Sequence, residues 1–168
     1  MESWGHVQAA SIVRKINVRD TANDIKSQFG FGGLVSGKVK ISEKNDIRFQ
    51  AVYGHAITKF IQALSTSGID LVFNPKTRNF EPVISYGGYV SVSHDWLPNV
   101  ISFFTAGTIN VTERAYFPED AFKSGYYFSG NIFWNLMLGA KFGLEYLYGQ
   151  RTNKNGQNGD ANRLSFLF

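Results

Sequence analysis

The sequence contains no cysteine, so the chain can form neither disulfide bonds nor thiolate metal sites. Its three histidines, His6, His55 and His94, are scattered without the spacing of metal ligands, and no cofactor is expected. Proline occurs only 4 times. No run of about 18 apolar residues is present to form a membrane-crossing helix. These absences exclude a disulfide-stapled domain, a thiolate metalloprotein and a helical membrane protein.

Aromatic residues and glycine are abundant instead. The 168 residues include 15 Phe, 8 Tyr and 17 Gly, a mixture that favours strands and turns over helices. The formal charge of +4 is mild, and lysine and arginine are spread along the chain. A nucleic-acid partner is therefore not expected, because such proteins gather their basic residues in a patch. The length suits a single domain covering residues 1–168.

Apolar and polar residues alternate with period two in segment after segment, which is the pattern of β-strands with two unlike faces. In one such segment Phe29, Phe31 and Val35 share a face, and Ser36 and Lys38 lie on the other. We predict an all-β, antiparallel fold of about eight strands. The predicted strands cover residues 6–19, 28–41, 47–54, 82–93, 100–111, 126–135, 141–149 and 163–168.

In two of these segments the assignment of residues to faces is less direct. In segment 100–111 the apolar face is assigned to odd positions, opposite Ser102, Thr108 and Asn110; these odd positions are Ile101, Phe103, Ile109 and Val111. The first segment is less regular, because Ile12 and Ile16 fall on the same side as Arg14. A β-bulge would restore the alternation there.

The connectors alternate in length, as they do in outer-membrane β-barrels with short periplasmic turns and longer outer loops. Segments 42–46, 95–99 and 135–139 read as short turns, and 20–27, 59–79, 113–124 and 150–160 as longer polar loops. Aromatic residues support this orientation, because amphipathic rings favour the headgroup region at both membrane surfaces. Trp4, Trp96 and Trp134 map to the turn side, and Tyr53, Tyr146 and Tyr148 approach the loop side.

Alternation alone does not say which face meets water, because a soluble lipocalin-like barrel shows the same period. The apolar set here is bulky and aromatic at its ends, and the polar set is rich in Gly, Ser and Asn. Both features favour a transmembrane barrel in a bacterial outer membrane, in contact with its lipid and lipopolysaccharide. A soluble lipocalin-like binder remains the alternative.

No catalytic constellation stands out, and we do not expect an enzyme. Ser93, His94 and Asp95 are consecutive, whereas a catalytic triad needs spatial convergence. The glycine-rich stretch 30–33 has no helix after it to hold a phosphate. The polar loop 153–160 lacks the spacing and terminal glutamate of a calcium loop. Each is read as a strand or loop feature, and no metal site is predicted.

Charged residues on the polar face indicate a lumen that attracts anions. The predicted pore-lining set contains six cations and one carboxylate: Arg14, Lys38, Lys40, Arg48, Lys141, Arg163 and Glu145. A basic lining raises the local concentration of anions and disfavours cations. The alternative is that these are structural charges paired with the missing part of a longer protein, or residues near a rim that face lipopolysaccharide.

The last strand has the form of an assembly signal. Its hydrophobic residues alternate up to a terminal aromatic residue: Leu164, Phe166 and Phe168. This pattern resembles the C-terminal signal read by the barrel-assembly machinery, which is therefore an expected partner.

Four stretches resemble the DcaP-like porins of proteobacterial outer membranes: WGHVQAA at 4–10, KSGYYFSGNIFWN at 123–135, GLEYLYG at 143–149 and ANRL at 161–164. The resemblance covers most of this chain but only the C-terminal half of a family member. It implies a larger barrel, homotrimeric when full length, that passes small and often anionic solutes such as dicarboxylates.

We therefore expect the chain to be an N-terminally truncated portion of a longer porin, one half of about sixteen strands. The predicted function is passive diffusion of small, anionic solutes. The alternative is a small eight-stranded barrel that does not conduct and has a structural or adhesive role, since eight strands closed on themselves enclose only side chains.

Overall fold

Eight antiparallel strands form one continuous sheet. The computed structural model describes residues 4–19, 24–137 and 139–168. Its strands are β1 (Gly5–Arg19), β2 (Ile25–Ser42), β3 (Asn45–His55), β4 (Leu71–Asn74), β5 (Asn79–Pro82), β6 (Ile84–Leu97), β7 (Val100–Val111), β8 (Phe122–Met137), β9 (Ala140–Asn153) and β10 (Asn158–Leu167). The large sheet has the order β1-β2-β3-β6-β7-β8-β9-β10, and β4 pairs with β5 as a separate hairpin. The predicted all-β, antiparallel fold is confirmed.

The first and last strands, β1 and β10, are the two edges of the large sheet. Each pairs with one neighbour, and no β1–β10 pairing occurs within the described ranges. The sheet is therefore an open wall here, and the prediction of a closed barrel stays a prediction. In the part of the chain that the structure covers, no helix is long and apolar enough to cross a membrane.

The connections divide the sheet into two ends. We call the turn end the one where β2–β3, β6–β7 and β8–β9 are joined by tight turns, and the loop end the opposite one. Two connections are shorter than predicted, and the predicted bounds 20–27 and 150–160 were wrong. β2 already begins at Ile25, and the β9–β10 pairing extends to Thr152 and Asn158. The strands continue because the hydrogen bonds between strands come from backbone groups, which polar residues supply as well as apolar ones.

The pairing register assigns every strand residue to one of two faces. We call the polar face the one that carries Gln8, Ser36 and Gln50, which follow one another across paired strands, and the apolar face its opposite. Gln50 pairs with Tyr89, so Ser91, two residues further along β6, lies on the polar face as well. The β1–β2 register runs from Gly5 to Arg19 without a shift. The bulge proposed for the first strand is therefore absent.

Strand β7 corrects the predicted faces. Phe103 pairs with Ser93, and Thr105 pairs with Ser91, so the odd positions of β7 lie on the polar face. The hydroxyls of Ser91 and Thr105 are 2.8 Å apart, which supports this register. Four residues assigned to the apolar face thus lie on the opposite one: Ile101, Phe103, Ile109 and Val111.

The long segment 56–83 explains why β7 carries apolar residues there. It folds back as two short 3-10 turns, Thr58–Phe60 and Gln62–Leu64, followed by the β4–β5 hairpin. Together with segment 112–121 it forms the hydrophobic core of the molecule, over the loop end of the polar face. The buried core residues are Leu64, Val83, Val111 and Phe117, and Ile109 is among the partly buried residues packed against them.

Several glycines lie directly opposite an aromatic ring on the neighbouring strand. Gly107 pairs with Tyr127, and a Cβ at Gly107 would lie 2.4 Å from the Tyr127 ring. The same holds for Gly143, where a Cβ would lie 2.5 Å from the Phe133 ring. The missing side chains therefore make room for rings that lie along the wall, and cross-strand pairs of this kind fix strand register.

Candidate functional site

The apolar face of the sheet is uncovered. Large hydrophobic side chains on it are exposed, for example Phe104 at 59% and Phe166 at 68%. The buried hydrophobic residues of the described chain lie in or beside the loop-end segments, not on this face. A soluble barrel would bury its apolar face in a core. This face is instead arranged to meet an apolar medium.

Aromatic residues mark both ends of the apolar face. Trp4 accepts a backbone hydrogen bond from Lys40 near the turn end. Trp96 and Trp134 lie beside the turns that follow β6 and β8. All three tryptophans are more than half exposed. The residues expected toward the loop end are Tyr53, Tyr146 and Tyr148. Tyr53 and Tyr148 lie beyond the middle of their strands in that direction, and Tyr146 lies at the middle of β9.

The border of the apolar face on the loop-end side runs diagonally across the strands. One row of paired residues crosses this face from edge to edge: Asn162, Tyr148, Phe128, Ala106, Val90, Phe49, Gly37 and Val7. On β10 the first polar residue toward the loop end is Asn162 itself. On β1 the apolar face continues past Val7 to Val13, interrupted only by the small Ser11, and the first charged residue on it is Lys15.

This diagonal gives the tilt of the strands relative to the apolar layer. From β10 to β1, the border of the apolar face shifts by about eight residues along the strand direction. At about 3.3 Å per residue and about 4.8 Å between neighbouring strands, this shift corresponds to a tilt of about 40°. Strands of membrane barrels tilt by about 35–45°. The apolar band is therefore parallel to a membrane plane only if the strands cross the membrane at the angle found in such barrels.

The predicted pore-lining residues all lie on the polar face, but several of their charges are neutralised. The Arg14 guanidinium forms a salt bridge with Asp70. The Lys38 ammonium lies 2.7 Å from the Asp46 carboxylate, and Arg163 lies 3.0 Å from Glu145. Glu145 was in the predicted set. Asp46 and Asp70 were not; Asp46 is the last residue of the predicted turn 42–46.

Two cations of the set contact aromatic rings instead. The guanidinium carbon of Arg48 lies 4.9 Å from the centre of the Phe103 ring. The Lys141 nitrogen lies 4.2 Å from that of Phe133. The two rings are themselves in edge-on contact, 6.2 Å apart at a 72° angle. Neither Arg48 nor Lys141 forms a salt bridge with a described residue. They are thus positive charges without a neutralising carboxylate.

Asp70 anchors the folded-back segment 56–83 to the sheet. Besides the salt bridge to Arg14, its carboxylate accepts hydrogen bonds from the Thr58 hydroxyl at 2.8 Å and the Lys59 backbone amide at 3.4 Å. Arg14 also lies over the Phe60 ring at 5.2 Å. The side chains of Arg14 and Asp70 are only 17% and 18% exposed. No sequence signal marked Asp70, because its partner is more than fifty residues away.

A second contact joins the β4–β5 hairpin to segment 112–121. The Tyr116 hydroxyl donates a hydrogen bond to the Glu81 carboxylate, which also accepts one from the Asn74 amide at 2.5 Å. These hydrogen bonds, that of Tyr116 first, lower the pKa of Glu81. Burial, and then the hydrogen bond to Glu81, raise the pKa of Tyr116. The loop-end segments are thus held together as one unit.

The β9–β10 turn is part of the same unit. The Lys154 ammonium donates to the Phe117 backbone carbonyl at 2.8 Å and to the Glu119 carboxylate at 2.7 Å. Its side chain is largely buried. The polar composition of this turn predicted a solvated loop, whereas its lysine is a specific tie to segment 112–121.

The predicted assembly-signal residues lie at the turn end of β10. Leu164 and Phe166 alternate on the apolar face, and both are exposed. Phe168 follows the strand, and its ring contacts Phe142 edge-on with centres 5.5 Å apart. The three side chains of the predicted signal are therefore accessible in this arrangement.

The stretches whose composition suggested a catalytic or phosphate-binding site occupy structural positions. Ser93, His94 and Asp95 lie within β6, where the pleat places Ser93 and His94 on opposite faces. Gly30, Gly32 and Gly33 lie inside β2, and the first two face Ala56 and Ile57 of the folded-back segment. Within the described ranges, no three His, Asp or Glu residues are grouped to hold a metal ion.

Comparison with known proteins bears on the fold. No family model matches the sequence, and no curated protein matches it. Among solved structures, the crystal structure of the outer membrane channel DcaP of Acinetobacter baumannii matches with a TM-score of 0.80 at 17% sequence identity. The chain is similar in fold to half of an outer-membrane channel. The alignment covers 97% of this chain and 46% of the DcaP chain.

The structural match agrees with the resemblance seen in the sequence. It confirms, at the level of the fold, that the chain corresponds to about half of a DcaP-like protein. The chain spans less than half the length of the channel it matches, so solutes, selectivity and assembly are matters for proposal.

Proposed function

We propose that this chain forms part of the wall of a bacterial outer-membrane channel through which small, anionic solutes diffuse passively. The observation that carries the proposal is the exposure of the aromatic, apolar face, whose diagonal border fits strands crossing a membrane at about 40°. The polar face then lines the lumen. No catalytic step is part of this proposal.

The anion preference rests mainly on Arg48 and Lys141. Three other cations of the polar face have carboxylate partners, so their charges largely cancel: Arg14, Lys38 and Arg163. Arg48 and Lys141 lie over rings, which leaves their positive charge to act on the lumen. An uncancelled positive charge in a narrow, low-dielectric passage attracts anions and repels cations.

The folded-back segment 56–83 gives the proposed passage its restriction. It covers the loop end of the polar face and is tied there through Arg14 and Asp70. A solute entering from the loop end would pass beside this segment before it meets Arg48 and Lys141 nearer the turn end. The segment would thus limit solute size, and the cations would select charge.

The edge strands β1 and β10 each need a further strand to pair with. Bilayers do not tolerate unpaired backbone groups, so we infer that strands of the same longer chain complete the wall. The family resemblance further leads us to expect a homotrimer, assembly through Phe168 by the barrel-assembly machinery, and contact with lipid and lipopolysaccharide.

Ion selectivity tests this proposal. The full-length protein in a planar bilayer, under a potassium chloride gradient, is expected to give a zero-current potential of the sign set by chloride. The double variant Arg48→Gln/Lys141→Gln should lower the chloride-to-potassium permeability ratio. The control variant Lys38→Gln/Asp46→Asn removes a neutral pair and should leave the ratio nearly unchanged. Cation selectivity of the unaltered protein, or no conductance at all, would overturn the proposal.

A further inference from the structure

The cations of the sheet are distributed unequally between its faces. The register places most of them on the polar face: Arg14, Lys26, Lys38, Lys40, Arg48, Lys141, Arg151 and Arg163. Lys15 and Arg19 are different, because they alternate with Arg14 along β1 and therefore lie on the apolar face. Both are near the loop end, four residues apart, on the face that meets lipid in the proposed function.

Lys15 and Arg19 are exposed and make no ion pair or ring contact with a described residue. The contrast with their neighbour Arg14, which is bound to Asp70 and Phe60, is direct. Asp24, a carboxylate in the adjacent connection, has an interaction of its own. The two cations are thus available to a ligand outside the chain.

Their level on the strand is also informative. Lys15 lies at the border of the apolar band, next to exposed Val13 and paired with exposed Phe29. Arg19 is about 13 Å further along the strand toward the loop end. Between them, Ser27 donates a hydrogen bond of 2.8 Å to Asn17 on the same face. We call Val13, Lys15, Asn17, Arg19, Ser27 and Phe29 the rim patch.

We propose that the rim patch binds the phosphorylated headgroup of a lipid in the outer leaflet, which in an outer membrane is lipopolysaccharide. Lys15 and Arg19 would contact phosphate groups, Asn17 and Ser27 would face sugar hydroxyls, and Val13 and Phe29 would contact acyl chains. Cations at the headgroup level are attracted to anionic lipid. On β9 and β10, by contrast, the residues at the border of the apolar face are neutral.

The inference rests on the proposed function, because it needs β1 to cross the membrane with its loop end outward. It does not depend on what pairs with the free edge of β1. Strand pairing takes place in the plane of the sheet, so an added strand leaves Lys15 and Arg19 on the same face.

Binding of purified lipopolysaccharide to the full-length protein in detergent tests the inference. Lys15→Gln/Arg19→Gln should weaken binding by about fivefold for each cation removed. The matched control Lys44→Gln/Lys76→Gln removes two exposed charges, from the turn end and from the β4–β5 hairpin, and should bind as the unaltered protein does. Enzymatically dephosphorylated lipopolysaccharide should bind the unaltered protein as weakly as intact lipid binds the Lys15→Gln/Arg19→Gln variant.

Three results would overturn the lipid site: equal weakening in both double variants, equal binding of the dephosphorylated lipid, or displacement by inorganic phosphate at the same concentration as the lipid. Insertion and conductance are measured on the same preparations. If the protein inserts and conducts, but Lys15→Gln/Arg19→Gln leaves lipid binding unchanged, only the lipid site is overturned. A protein that neither inserts into vesicles nor conducts loses the proposed function.

Discussion

The two ends of the polar face hold their cations in different ways. At the loop end, Arg14 is bound to Asp70 beneath a folded segment and is mostly buried. At the turn end, none of the segments that the structure describes covers the wall, and Arg48 and Lys141 lie over the rings of Phe103 and Phe133. A buried cation needs a carboxylate partner, because its desolvation is costly. A cation beside water can keep its charge and rest on a ring.

The largest expected effect comes from breaking the loop-end salt bridge. Asp70→Asn leaves the Arg14 guanidinium largely buried without a counter-charge, which typically costs about 3 kcal/mol. We expect segment 56–83 to detach, so that limited proteolysis cuts within it and denaturant unfolding shifts to lower concentration. The turn-end counterpart Asp46→Asn, whose partner Lys38 is far more exposed, should cost at most about 1 kcal/mol. Equal losses would remove the distinction between the two ends.

A second, smaller difference is expected between glycines of the two ends. At Gly54, near the loop end, an added Cβ would lie 2.6 Å from the Phe31 carbonyl oxygen and 2.7 Å from Ile57. At Gly143, near the turn end, its nearest neighbour would be the Phe133 ring, which can rotate. Gly54→Ala should therefore cost about 2 kcal/mol, and Gly143→Ala less, because overpacking that reaches backbone is harder to relieve. Unfolding of both variants beside Gly149→Ala, where a Cβ meets nothing closer than 3.8 Å, checks the order.

The smallest expected effect is a pH dependence confined to the loop end. The pKa of Glu81 is lowered in the folded chain from its ordinary 4.5, so its contacts stabilise the protein above that pH and are lost as the pH falls through the lowered value. The protection of amides in segment 112–121 against hydrogen exchange, measured relative to the intrinsic exchange rate at each pH, should fall at acidic pH, while the protection of amides at the turn end should not change. Tyr116→Phe removes the main cause and should reduce this pH dependence. An unchanged profile in Tyr116→Phe would contradict the role given to this contact.

The alternation of residues was sufficient to predict the eight-stranded sheet and most of its faces, because period two is a direct consequence of the pleat. It failed on β7, where Ile109 and Val111 are apolar on the polar face. Those residues pack under segments 56–83 and 112–121, and the sequence does not show that a loop will cover a particular strand. Alternation also could not reveal the Arg14–Asp70 salt bridge, which depends on that same folded segment.

The cation and ring pairs were only half predictable. Arg48 and Lys141 were placed on the polar face from the sequence, and the alternation of β8 already put Phe133 beside Asn131 and Asn135. Phe103 was missed because its neighbours Ile101 and Ile109 made the odd positions of β7 look apolar. An aromatic residue on an otherwise polar face next to a cation was the signal available.

The directions of β1 and β10 impose a rule of parity. β1 runs from the turn end to the loop end, and β10 runs back, so the two edges are oriented oppositely. If the sheet closes with every neighbour antiparallel, any strands inserted between these edges must be even in number, zero included. A completed wall of this kind can therefore have eight or sixteen strands but never an odd count, and the start of β1 and the end of β10 both lie at the turn end.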